Sequence, residues 1–151
     1  MPRPVFIICA RGSVQDKDSN LLSLYDVVEK LVLIPLPKIT GQSVIVVQSQ
    51  PFHSVSTWML EPDKGDSHED DYALEFRLLP PDGKEAVVLQ SSKTRLGAAD
   101  ENFQRITLKI ESLLPFTVSG LWEFEARIRK DGSDGWISQS YPLQIDIRDQ
   151  A

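Results

Sequence analysis

The chain predicts an all-β protein, a two-sheet antiparallel sandwich of about eight or nine strands. Three observations predict it. Over residues 121–129, Trp122, Phe124, Ala126 and Ile128 alternate strictly with Glu123, Glu125, Arg127 and Arg129. Successive side chains on a strand point to opposite faces, so this stretch is a strand with one dry face and one charged face. The same alternation recurs over residues 74–78, 106–110 and 143–147. Turn residues punctuate the pattern, with Pro80-Pro81-Asp82-Gly83 and Asp131-Gly132-Ser133-Asp134-Gly135 each between two such runs. Proline presets φ for a turn and glycine permits a positive one. Strands that are dry on one side only belong to antiparallel sheets whose outer faces are wet.

The elements follow in order. Residues 5–13 open as a strand that is apolar on both faces near its start, which suits a covered position. Gln15 to Asn20 is a polar turn. In 21–33, Leu21, Leu24, Tyr25, Val28, Leu31 and Val32 fit helical spacing, yet the β-branched content favours a strand returning along the first. Pro35 and Pro37 then break the chain, and Val44 to Val47 is a short apolar strand. A further strand covers 53–60, and 61–71 is a hydrophilic loop with no apolar anchor, expected to be mobile. Residues 72–79 and 84–90 form a hairpin, and 91–102 a loop. A strand over 103–111 and a crossover over 113–120 lead to a second hairpin, 121–130 with 135–147.

The 151 residues fit one domain, 1–151. With a single cysteine, Cys9, no intrachain disulfide forms. A net charge of −6 with no basic run argues against nucleic acid as a partner. The run Val5-Phe-Ile-Ile-Cys-Ala10 is too short for a signal-peptide core, and no stretch approaches the ~20 apolar residues of a membrane span. A cytoplasmic, soluble protein with no membrane partner is expected.

Several motifs carry a resemblance across nearly the whole chain. They are Leu22-Ser23-Leu24 after the first polar turn, Leu78-Leu-Pro-Pro-Asp-Gly83 at the tip of the middle hairpin, Gly120-Leu-Trp-Glu-Phe124, Asp131-Gly132 and Pro142-Leu-Gln-Ile145. Their order resembles a bacterial domain-of-unknown-function family of small single-domain proteins. The resemblance implies an immunoglobulin-like β-sandwich and transfers no catalytic residue. The long acidic loop at 61–71 and the Pro-rich stretch at 34–51 depart from that pattern.

Candidate sites are few. Asp16, Asp18 and Asn20 match the first three ligand positions of a calcium loop, but Leu21 stands where the turn needs glycine and Val27 where a bidentate glutamate is required. Asp63, Asp66, Glu69, Asp70 and Asp71 form a denser set of hard oxygen donors, with His68 among them, and are the candidate metal ligands. A charge run in a loop is most often simply solvated. Trp136 falls on the opposite face from Ile137, Tyr141, Leu143, Ile145 and Ile147, so it is the candidate ligand-stacking residue. Burial under a neighbouring loop is its plainer explanation. Trp58 follows Ser54 and Ser56 on the same parity, so its face is undecided.

Catalysis has little support, because a nucleophile needs a base oriented by a third group. The chain has no Gly-x-Ser-x-Gly elbow, and its two histidines, His53 and His68, stand in different contexts. Cys9 lies in an apolar strand, where a thiol is inert. The function expected is a non-catalytic module for protein interaction or structure, with no cofactor, acting on a protein partner or on itself. The alternatives are a calcium- or carbohydrate-binding domain using the loop 61–71 or Trp136, and a small hydrolase. Alternation also predicts that Phe124→Asp unfolds the domain, while Glu125→Lys on the wet face shifts stability by only about half a kcal/mol.

Overall fold

The computed structural model describes residues 1–16, 18–19, 21–33, 51–97, 102–111 and 116–148. Within them it is all-β, with nine strands and one turn of 3-10 helix at Pro62–Lys64. The strands are β1 Arg3–Gln15, β2 Leu22–Val27, β3 Lys30–Leu33, β4 Phe52–Met59, β5 Asp71–Leu79, β6 Val87–Arg95, β7 Phe103–Ile110, β8 Gly120–Lys130 and β9 Ile137–Ile147. They form a four-stranded sheet in the order β2-β1-β4-β7 and a five-stranded sheet in the order β3-β9-β8-β5-β6. The five-stranded sheet curls into a half-barrel. No helix among the described residues is long and apolar enough to cross a membrane.

Alternation places the core. On β8, Trp122, Phe124, Ala126 and Ile128 are all buried, and β5 contributes Tyr72, Leu74, Phe76 and Leu78 to the same cluster. Phe124 meets Phe76 at 6.1 Å between ring centroids and reaches Phe52 of the other sheet edge-on at 6.4 Å. Both sheets therefore bury one shared apolar layer, the dominant stabilising term in a fold of this size. Trp58 also lies in this layer, and its indole N–H donates to Ser56 Oγ at 3.2 Å. β4 is central in its sheet and buried on both faces, which is why alternation alone left Trp58 undecided.

Four sequence expectations are corrected. The pairing is not antiparallel throughout, because β3 runs parallel to β9. Residues 21–33 are strand, as favoured, but they divide between the sheets. β2 pairs antiparallel with β1, Asp26 takes a positive φ of 50°, and the chain crosses to the edge of the other sheet. There Gln144 N–H donates to Glu29 O at 2.9 Å, and the crossing delivers β3 in the same direction as β9. Second, 91–95 is not loop. β6 continues to Arg95, because each residue from Ser91 on faces one of β5. Third, the loop 61–71 has anchors, and they are polar, as described below. Fourth, Glu125 is only 8% exposed although it stands on the outer face of β8. The strand expected at Val44 to Val47 and the Pro-rich stretch 34–50 lie outside the described residues.

Candidate functional site

The acidic loop is the first candidate, and three of its carboxylates, those of Asp66, Asp70 and Asp71, point to separate protein partners. Asp66 is buried. One of its oxygens accepts the Glu61 N–H at 2.9 Å and the other lies 2.6 Å from the Met1 ammonium. Asp70 pairs with Lys130 Nζ at 2.7 Å, and Asp71 with Arg95 Nε at 2.9 Å. Lys130 holds the Asp70 carboxyl below its ordinary value, chiefly by this hydrogen bond. The Asp71 pairing in turn raises Arg95. His68 Nδ1–H donates to Leu96 O at 2.8 Å, and the Tyr72 hydroxyl, pushed up to about 12 mainly by burial, donates to Ser67 O. Asp63 and Glu69 are exposed. Among the described residues no three His, Cys, Asp or Glu side chains gather into a group able to hold a metal ion. The charges of Asp66, Asp70 and Asp71 are relieved by the Met1 ammonium, the Glu61 N–H, Lys130 and Arg95, and the last two contacts tie the loop to β8 and β6.

The second candidate, Trp136, does lie on the outer face of the five-stranded sheet, as parity predicted. It is half-buried, and arginine side chains rather than a loop cover it. The guanidinium carbons of Arg127 and Arg129 lie over its ring, 4.2 and 4.7 Å from the centroid. Such contacts hold the guanidinium planes against the indole face. Any ligand stacking on Trp136 must compete with them.

Around Trp136 the outer face carries a charge ladder that the sequence reading missed. Glu75 stands opposite Arg127, and Arg77 opposite Glu125. Arg127 donates to Glu75 at 2.8 and 2.5 Å, and Arg77 Nε donates to Glu125 at 2.6 Å. Its signal was present: Glu75-Phe-Arg77 and Glu125-Ala-Arg127 are the same charge motif, and antiparallel pairing sets each Glu against the other's Arg. Only the register, which is nonlocal, was missing.

The reactive side chains are dispersed. Cys9 is buried, and burial pushes its thiol up to about 12. Ser13 Oγ and His53 Nδ1 lie 2.9 Å apart, a contact between residues 40 apart in sequence that no local motif announces. Among the described residues no carboxylate is hydrogen-bonded to His53 to orient it as a base.

No protein-family model matches the chain, and no curated protein matches it. Among solved structures, the CooA pilin subunit from enterotoxigenic Escherichia coli is similar at 8% identity, over 93% of this chain and 99% of that one, with a TM-score of 0.32. At that score the likeness carries no argument about function.

Proposed function

We propose that this chain is a non-catalytic interaction module, a cytoplasmic immunoglobulin-like sandwich of the resembling bacterial family, that recruits a second copy of itself through the edge strand β2. The single observation behind this proposal is the contrast among the sheet edges. Among the described residues, β2, β7, β3 and β6 are the outermost strands. β6 carries Lys93 and Arg95, β7 carries Arg105 and Lys109, and β3 is four residues long and starts at Lys30. Charged residues and shortness are the usual guards of a sheet edge. β2 reads Leu22-Ser-Leu-Tyr-Asp-Val27, has neither lysine nor proline, and carries one charge, Asp26 near its end.

Beside this edge lies exposed apolar surface. Tyr25 stands opposite Gly12, Val27 opposite Ala10, and Val14 opposite Ser23, so Tyr25, Val27 and Val14 share one face of the sheet. They are 53%, 48% and 54% exposed. Large apolar side chains that cluster in the open mark association surfaces. Strand addition through free backbone groups with apolar neighbours is a recurring mode of recognition, and two identical edges pair about a two-fold axis.

Sedimentation equilibrium over a concentration series tests this. The wild-type chain should show a concentration-dependent dimer, and Tyr25→Lys/Val27→Lys should stay monomeric with an unchanged melting temperature. A wild-type chain that remains monomeric at every concentration, or a variant that dimerises as well as wild type, overturns pairing through β2.

A further inference from the structure

The outer face of the five-stranded sheet holds a second surface, and a different observation carries it. Each step of the ladder sets an arginine against a glutamate: Arg127 faces Glu75, and Arg77 faces Glu125. One register step further, Arg129 faces Ala73, and beyond Ala73 stands Lys93 of β6. The row across the sheet at this level is thus Lys93, Ala73, Arg129. The β8–β9 register ends at Ile128 opposite Ile137, and Trp136, the next residue outward, bears the Arg129 guanidinium over its ring at 4.7 Å.

Two cations therefore flank a side chain that ends at Cβ. Strands in a sheet lie about 4.8 Å apart, so Lys93 and Arg129 are separated by roughly 9.5 Å at the backbone. The intervening alanine leaves a shallow slot between their longer side chains. Arg129 has no carboxylate partner among the described residues, and its Nε is shielded from water without a hydrogen-bond partner. Lys93 has one partner, the exposed Asp131 at 3.1 Å.

We infer that this slot binds the carboxylate of a glutamate or aspartate from an acidic peptide segment of a partner protein, Arg129 and Lys93 supplying the charge and Trp136 holding the guanidinium in place. The occupant is identified by the rest of the ladder. On this face the sheet satisfies each of its other paired arginines with a side-chain carboxylate, and the partner supplies at Ala73 the group that Glu75 supplies one step away. A planar guanidinium held against an indole is prepared for a bidentate carboxylate and loses little freedom on binding it.

Titration with a blocked hexaglutamate peptide at low ionic strength, followed by tryptophan fluorescence, tests the inference. Trp58 and Trp122 are buried in the core, so the response reports Trp136. Saturable binding is expected, weakened about tenfold or more by Arg129→Gln and by Lys93→Gln. Ala73→Glu should abolish binding while leaving the melting temperature equal or higher, because it completes the ladder from within. This second variant keeps the test decisive if Arg129→Gln unfolds. No binding by wild type, undiminished binding by Ala73→Glu, or equal displacement of the peptide by inorganic phosphate or by a carboxylated oligosaccharide overturns the acidic-peptide slot.

Discussion

Glu75 and Arg127 stand directly opposite each other on β5 and β8 and share two hydrogen bonds, at 2.8 and 2.5 Å. The mirrored pair, Arg77 with Glu125, lies one step along the same two strands. These charges are partly withdrawn from water, so removing one partner leaves the other without its counter-charge.

Arg77→Ala is expected to cost about 2–3 kcal/mol, because it strands the nearly buried Glu125. Glu125→Lys should cost at least as much, not the half kcal/mol that a wet position implies. The double variant Arg77→Ala/Glu125→Ala should cost about 1–2 kcal/mol less than the sum of its singles. Urea denaturation of the four proteins measures this, and strictly additive losses would refute the coupling.

Phe124 lies at the meeting point of the two sheets, against Phe52 and Phe76. Phe124→Ala should cost about 3–5 kcal/mol, and Phe124→Asp should leave no cooperative transition. The exposed neighbour Glu123 provides the control, since Glu123→Lys should change stability by only about 0.5 kcal/mol. Thermal melts that rank Glu123→Lys with Phe124→Ala would mean the register is wrong.

Asp70 is held below its ordinary value of 3.8 by Lys130. A depressed carboxylate contributes stability that is complete above the unfolded value and lost as pH falls through the lower folded value. Melting temperature should therefore fall as the medium is acidified past 3.8, and Asp70→Asn should flatten that part of the profile. An identical acid limb in the variant would assign the effect to other carboxylates.

Cys9 should be inert to iodoacetamide in the folded protein and react once it unfolds. Burial raises its thiol from 9.0 to about 12, so the folded state keeps the proton that the unfolded chain gives up above 9.0. Its contribution is present below that value and is lost between it and about 12. Intact-mass measurement after labelling, with and without urea, reads the outcome; rapid native alkylation would contradict burial.

Gly97 takes a φ of +65°, and a Cβ built there would stand 1.7 Å from Gln104 Oε1. Gly97→Ala must both strain the backbone and displace Gln104, at an expected cost of about 1–3 kcal/mol. A melting temperature equal to that of wild type would show that both are relieved cheaply.

The sequence alone determined the strand character of β5, β7, β8 and β9 and which face of each strand carries the apolar side chains of the core. That information is local, because a period of two needs only neighbouring residues. It also determined the outward parity of Trp136. Tertiary structure alone decided which strands are neighbours and in what register. The parallel docking of β3 on β9, the burial of β4 on both faces and the pairing of Arg77 with Glu125 all depend on residues far away in the chain. The acidic loop is the clearest case. Its composition reads as unanchored charge, yet Lys130, Arg95 and the carbonyl of Leu96 reach it from strands or strand ends up to about 60 residues away. A charge in sequence carries no sign of its partner, so the energy of a pair is settled only when folding sets the distance between them.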